Sequence, residues 1–532
     1  MAKAGTFSIL VRADTDCVKT VEPQPLRPAQ GARGYNPKSL TAQAGWLMVA
    51  RVTGFAFTFL IPIVLSRVLD LKQFGLYKQA FLIVATAQSI LPLGFGMSTF
   101  YFLSREHEER KRAAIAGNAL LFHVLMGTLA ATTVFFWPGI LTHIFGSADL
   151  LRYSNQIAAI LLFWITSYLI ESIATANQDV MFSTAFIITA QLTKSIAMLS
   201  AALLTRSVEG VLYAGMFQGI LQTAVLLWYL GLRFPAYWRR FSFSILRWQV
   251  SYTLPLGLAG LIYTLQNDIH NYFVSNAFGA AAFAIYSVGV AQLPLIGMMR
   301  ESVNAVLLGR VSSLQQQGRR QEILRLSIQV MRKLALVYWP LYALLMIVAN
   351  EFVIVLYTGR FESSVPLLRI NLTLLPFMII VQDPILRAFA EHRYYLLLIR
   401  AVLVTILITI LTTSLDRIGL VGAVTLVVSI SLVERVLILL KTTRVLGFSL
   451  KDGRELATLS RIAAITAIAA IVAFIVRLLL LPQKPGVVLI LTSAAFAGVY
   501  VALLLRAGNL QADERELTRR YWGRALSLLQ PR

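Results

Sequence analysis

Apolar runs of about twenty residues, following one another almost without pause, constrain this chain more than any other feature of its sequence. A bilayer core about 30 Å thick is crossed by ~20 mainly apolar residues in a helix. Such runs fall near 43–65, 77–99, 114–137, 155–176, 183–205, 210–231, 252–274, 281–304, 333–356, 366–388, 394–415, 417–440, 459–481 and 486–505. They are too long and continuous for strands, and they lack the alternation of an outer-membrane barrel. The sequence therefore predicts an all-α polytopic membrane protein with about fourteen transmembrane helices. Composition agrees: 57% of the 532 residues are hydrophobic and 14% charged, against roughly 45–50% and about 25% in soluble domains.

The formal charge of +23 is confined to short segments between the runs. With the N-terminus placed inside, 32 of the 48 Lys and Arg residues fall in inside segments and 8 in outside ones. The outside eight are Arg67, Lys72, Lys78, Arg152, Arg206, Arg360, Arg417 and Lys484. Lys/Arg enrichment marks the cytoplasmic side, so both termini are expected there. The basic loops also suit anionic lipid headgroups. Nucleic acid is excluded as a partner, because no basic domain interleaved with aromatic residues exists to bind it.

Residues 1–42, polar and proline-bearing, read as a flexible cytosolic tail, with the single cysteine, Cys17, an incidental thiol. Two segments read as helices lying at the headgroups. One is 309–333, with Ile323, Leu326 and Val330 on one face; the other is the basic amphipathic tail 507–532, with Leu517, Tyr521, Ala525 and Leu528. No GxxxxGK[ST] loop, zinc-ligand spacing or GxSxG elbow occurs, and no loop can hold an enzyme domain. The chain reads as a carrier without cofactor or metal.

A shift of 209 residues lays 65–77 on 274–286 without a gap, matching Ser66 with Ser275, Phe74 with Phe283 and Tyr77 with Tyr286. The match falls at equivalent places in two six-span halves. An even number of spans per half gives parallel repeats about an axis along the membrane normal. The expected organisation is an N-lobe over 43–232, a C-lobe over 233–440, and two further spans within 441–506.

The segments 65–81 and 91–105 resemble the opening of Wzx-type flippases, the polysaccharide transporter branch of the MATE-like superfamily. Residues 247–296 resemble their span 7–8 region, with an acidic residue on span 7, and 351–370 resemble the loop before their span 10. Gly309 and Arg310 depart from the pattern, where a proline is expected. The resemblance implies a two-lobed transporter of the bacterial inner membrane that alternates between inward-open and outward-open states. Its implied substrate is an undecaprenyl-pyrophosphate-linked oligosaccharide, delivered to the periplasmic leaflet for O-antigen, capsule or exopolysaccharide assembly. Implied partners are membrane lipids and the polymerase and chain-length machinery.

Charges inside spans supply the candidate site, since each needs a cavity, a partner or a route to the interface. Arg51, Lys194 and Arg300 are the expected headgroup-binding cations, because Arg and Lys pair strongly with phosphate in a low-dielectric cleft. Asp268, Glu171 and Asp383 are candidates for coupling to H⁺ or Na⁺. Lys194 has the alternative of pairing with Glu171, and Asp268 that of pairing within the C-lobe. Arg400, Arg435 and Arg461 read as snorkelling to the inner interface, and His123 as a helix-packing residue. Two rivals remain. A MATE-like antiporter of cationic drugs or metabolites calls for acids in the lumen, against the basic excess here. A membrane-embedded glycosyltransferase or polymerase calls for large external loops, which this chain lacks.

Overall fold

The computed structural model describes residues 37–381, 383–389, 393–448 and 457–506. Val49–Arg532 form one compact unit and Met1–Met48 a second. The tail segment 507–532 and Cys17 lie outside the described residues. Among those described, regular structure is helical throughout, with no strand. This follows from the solvent: in hydrocarbon every backbone N–H and C=O must be satisfied within the span, which a helix does by itself.

The first half runs α1 (Pro37–Val68), α2 (Leu71–Ile90), α3 (Phe95–Leu103), α4 (Glu109–Phe136), α5 (Gly139–Phe145), α6 (Ser154–Ser167), α7 (Leu169–Ala176), α8 (Val180–Thr205) and α9 (Val208–Arg233). The second runs α10 (Phe243–Gly289), α11 (Pro294–Gln316), α12 (Arg320–Ile347), α13 (Ala349–Tyr357), α14 (Val365–Leu372), α15 (Asp383–Ala388) and α16 (Arg393–Leu446). Two more helices follow, α17 (Ala457–Leu479) and α18 (Pro485–Arg506). Helix starts are capped where the sequence allows. Asp70 Oδ1 accepts from Gln73 N at 2.7 Å, and Ser207 Oγ from Gly210 N at 3.3 Å. Threonines inside spans return their hydroxyls to carbonyls one turn back, as Thr405 does to Ala401 O and Thr409 to Thr405 O.

Ten helices among the described residues are long and apolar enough to cross a bilayer, or eleven with the α2–α3 pair, bent by 42°, taken as one crossing. This falls short of the expected fourteen for two reasons. The first is folding back at glycine, by which α10 and α16 each hold two arms but count once. At about 1.5 Å per residue, a straight α16 would reach ~80 Å. Gly419 instead takes φ 62°, ψ −167° inside it. Arg400 Nε then lies 2.8 Å from Glu434 Oε1, 34 positions along the chain, so the two arms run side by side. Gly279 (φ 75°, ψ −179°) does the same to α10, bringing Tyr286 Oη within 2.9 Å of His270 Nδ1. A second cause is interruption. The expected span 281–304 breaks between α10 and α11, and 366–388 is α14, a 3-10 turn at Leu375–Ile379 and the short α15. The first helix starts at Pro37, inside the segment expected to be tail.

The segment 309–333 is not a headgroup helix. It is the end of α11, a turn with Gly318 at φ 70°, and the start of α12. Ile323 is fully buried and packs with Leu307, Val311 and Phe389, so this apolar face meets protein.

Packing joins the two halves chiefly through α2 and α10. All six residues matched by the 209-residue shift are buried. A Cβ on Gly75 would stand 1.8 Å from Ala280 O; only glycine lets these backbones approach so closely. Gln79 Nε2 donates to Ser275 Oγ at 2.7 Å. At the same end, Arg67 Nη2 donates to Val355 O at 2.5 Å and Arg360 Nη2 to Ser66 O at 2.9 Å. Each arginine thus caps the last carbonyls of a helix in the other half. Helix α17 docks through Arg477, whose Nε and Nη2 both donate to the buried Glu351 Oε1 at 3.0 and 2.8 Å. Helix α18 adds Tyr500 Oη to Leu336 O at 2.9 Å.

Candidate functional site

A cavity of about 540 Å³ opens among α10, α11, the 371–381 segment, α15 and α16. Its described lining comes wholly from the second half. On α10, Tyr263, Gln266, Asn267 and His270 recur at the i, i+3, i+4, i+7 spacing of one helix face and all line it. The other face of α10 meets α2: Thr264 Oγ1 is 2.9 Å from Ser89 Oγ, and Tyr272 Oη donates to Leu82 O at 3.4 Å.

Four arginines line the cavity, Arg300, Arg387, Arg400 and Arg435, and Glu434 is the one carboxylate among the described side chains there. Arg300 Nη2 donates to Tyr263 Oη at 2.9 Å, while the Arg400 guanidinium sits 5.3 Å from the centroid of the same ring. Tyr263 therefore spaces two cations, one at its hydroxyl and one on its π-face. Glu434 Oε1 accepts from Arg400 Nε at 2.8 Å, and Gln266 Nε2 donates to Glu434 Oε2. Arg435 Nη1 reaches Phe377 O at 3.5 Å. The side chains of Arg400 and Glu434 are 9% and 13% exposed, so solvent screens their charges little. Asn267, Asn304, Asn371 and Ser431 add polar groups to the wall. Such a wall offers a phosphate charge-assisted donors and a sugar both donors and acceptors.

The expected site residues divide. Arg300 lines this cavity; Arg51, Lys194, Glu171 and Asp268 do not. Arg51 and Glu171 meet in the first half, Nη2 to Oε1 at 2.5 Å, with side chains 59% and 42% exposed. Lys194, considered as the partner of Glu171, instead places its Nζ 4.4 Å from the Trp164 ring centroid. Asp268, between Thr264 and Tyr272 on the face toward α2, makes no ion pair or hydrogen bond among the described residues. The side chain of Asp383 lies outside the described residues, and its neighbour Pro384 lines the cavity. His123 is buried with Nδ1 2.8 Å from Ala119 O, a packing residue.

Arg400 and Arg435 correct the expectation of snorkelling: both face the cavity rather than the interface. The sequence held a signal for the Arg400–Glu434 pair. Positions 400 and 434 are equidistant from 417, near the glycine at which the two spans meet, so a hairpin sets them level. Among the described residues, no group of three or more His, Cys, Asp or Glu could hold a metal ion.

Residues 64–366 match a family model described as polysaccharide biosynthesis protein. No curated protein sequence matches the chain. Among solved structures, the inward closed conformation of the lipid II flippase MurJ superposes with a TM-score of 0.67 at 12% identity. It covers 87% of this chain and 98% of its own. An inward-facing multidrug resistance MATE family transporter of the MOP superfamily gives 0.60 at 14% identity, over 75% and 98%. A MOP superfamily transporter from Pyrococcus furiosus gives 0.55 at 13% identity, over 77% and 96%. At such identities the likeness is one of fold: an all-helical MurJ/MATE-like architecture.

Proposed function

Taking as premise that the chain belongs to the polysaccharide biosynthesis protein family, we propose that it is a flippase for undecaprenyl-pyrophosphate-linked oligosaccharide repeat units. It moves them from the cytoplasmic to the periplasmic leaflet of the bacterial inner membrane by alternating access between two lobes, 43–232 and 233–440. Both termini are cytoplasmic in this reading, and polymerase and chain-length machinery receive the product. The chain acts as a carrier, not an enzyme.

The observation that carries the reading is the sign of the cavity: four arginines against one glutamate among its described side chains. A diphosphate carries about two negative charges, and guanidinium groups in a weakly screened site bind it bidentately. A cationic drug would be repelled there, which disfavours the MATE-like antiporter. Arg300 contributes to the diphosphate site from the second half, with Arg51 and Lys194 as the first-half cations that take the headgroup in the alternate state. The lipid tail stays in the bilayer while the head crosses. Asp268, without an ion pair or hydrogen bond among the described residues, is the favoured site for coupling to H⁺ or Na⁺, because its protonation or ion binding changes the charge at the α2–α10 seam.

Purified protein in liposomes, supplied with a fluorescent lipid-linked oligosaccharide, tests this. We expect flipping, faster with an imposed proton or sodium gradient, and a loss of about tenfold or more in R300Q. Export of a cationic dye in place of flipping would establish the antiporter instead.

A further inference from the structure

A second pocket, of about 420 Å³, lies where α11 ends, α12 begins and α16 ends, on the side read as cytoplasmic. Arg320, Lys441 and Arg444 line it with Gln315 and Gly318, and among the described residues no carboxylate does. Val311, Ile323, Phe389 and Leu446 pack together and hold these ends against one another. We infer that this pocket is a loading site, which captures the diphosphate of the lipid-linked substrate at the cytoplasmic mouth and passes it into the cavity. This rests on the flippase reading and adds a second phosphate-binding site to it.

Three observations support it. First, the pocket continues the walls of the cavity. On α16, Ser431, Glu434 and Ile438 line the cavity, and Lys441 and Val445 carry the same face onward, at i+3 and i+7 from Ile438, into the pocket. On α11, Arg300, Asn304 and Leu308 line the cavity, and Gln315, two turns past Leu308, lines the pocket. At about 1.5 Å per residue, Lys441 stands ~10 Å along α16 from Glu434. Second, the cations are available. Lys441 Nζ rests 5.1 Å from the Tyr395 ring centroid, and among the described residues neither Arg320 nor Arg444 makes a side-chain hydrogen bond or ion pair. Glu322, the acid in the first turn of α12, accepts from Arg319 Nε at 2.6 Å and does not line the pocket. Third, the positive end of α12 and the negative end of α16 both border it. Each is worth about half a charge and they offset one another, so the three formal charges set the sign.

A diphosphate entering a weakly screened cavity has to shed its water. A more exposed cationic site on the way replaces part of that hydration first, and it raises the local concentration of substrate at the mouth. A phospholipid phosphodiester carries less charge and fewer free oxygens than a diphosphate, so three cations favour the substrate over the surrounding lipid.

The test uses the full chain in phosphatidylcholine nanodiscs. C17S/Q315C carries a single thiol, on the pocket wall, whose labelling by a neutral maleimide is timed with and without added probes. Inorganic pyrophosphate and undecaprenyl pyrophosphate should each slow labelling at least about fivefold, and phosphatidylglycerol less than about twofold. Adding K441Q/R444Q should abolish that protection. In the liposome assay, K441Q/R444Q should raise the half-saturating concentration of lipid-linked oligosaccharide about tenfold, a larger effect than on the maximal rate. Absence of protection by undecaprenyl pyrophosphate, protection that persists in K441Q/R444Q, or an unchanged half-saturating concentration overturns the inference. Protection by phosphatidylglycerol as strong as by undecaprenyl pyrophosphate makes this a phospholipid site and overturns it equally. In each case a wild type that flips leaves the flippase reading standing. Should K441Q/R444Q not fold, the labelling of C17S/Q315C decides alone. Failure of the folded wild type to flip the substrate overturns the flippase reading itself.

Discussion

Charged residues in this protein fall into two physical classes. Glu351 and Arg477 form a buried pair that does not line the cavity, with side chains 6% and 15% exposed. Nε and Nη2 of Arg477 converge on Oε1, and Oε2 is buried without a partner among the described residues. Such a pair adds little over an apolar replacement, but breaking it strands a charge, at about 3–5 kcal/mol. E351A should therefore lower the thermal midpoint in detergent markedly, while E351L/R477M stays near the wild type. Equal losses in the two would show that the pair itself contributes the stability. Arg51 and Glu171, about half exposed, make a pair of the other class, screened by solvent and weak. The depth of a charge along its span was legible in the sequence; outside the Arg400–Glu434 hairpin, its partner was not. Lys194 shows why: Glu171 and Trp164 both lie in the preceding span, 23 and 30 positions back, and only the rotation of α8 selects the aromatic ring.

At the scale of elements, glycines decide where helices bend and where they touch. Gly279 and Gly419 hold positive φ inside the two longest helices, a conformation that disfavours any side chain. Gly75 matters for space instead, since the atom its Cβ would strike is the backbone carbonyl of Ala280. G75A must push α2 and α10 apart, a loss of ~1–3 kcal/mol. G231A, in α9 with nothing within 4 Å of the added Cβ, should be neutral or gain ~0.5–1 kcal/mol. Thermal midpoints of the two variants measured side by side check this; a harmless G75A would mean the seam is looser than the structure shows. The apolar runs announced these helices plainly, because hydropathy reports length. Breaks within 281–304 and 366–388 were hidden, because a 3-10 turn at Leu375–Ile379 is as apolar as the helix it interrupts.

For the whole molecule, the reciprocal contacts of Arg67 and Arg360 join the halves at the end expected to face the periplasm. Phe74 and Phe361 meet beside them with centroids 5.2 Å apart, edge to face. Each guanidinium meets the negative end of a helix dipole in the opposite half, an interaction of about 0.3–2 kcal/mol. Together they act as a clasp that has to open when that end opens. In R67Q/R360Q, amide hydrogen exchange across 66–69 and 355–358 should quicken, with the fold retained elsewhere. Unchanged exchange would assign closure to the α2–α10 seam alone.

The sequence by itself determined the solvent of this protein, its helical class, the family resemblance later met by the match over 64–366, and which few charges demanded explanation. These properties are local: hydropathy, loop charge and short motifs are read one segment at a time. Tertiary structure alone decided that Arg400, Arg435 and Glu434 share a cavity with Arg300, while Lys194 and the Arg51–Glu171 pair stand apart from it. That division depends on helix rotation about its own axis and on the fold-back at Gly419. Both are set by packing between segments hundreds of residues apart, where apolar surfaces of similar composition give the sequence little to distinguish one facing from another.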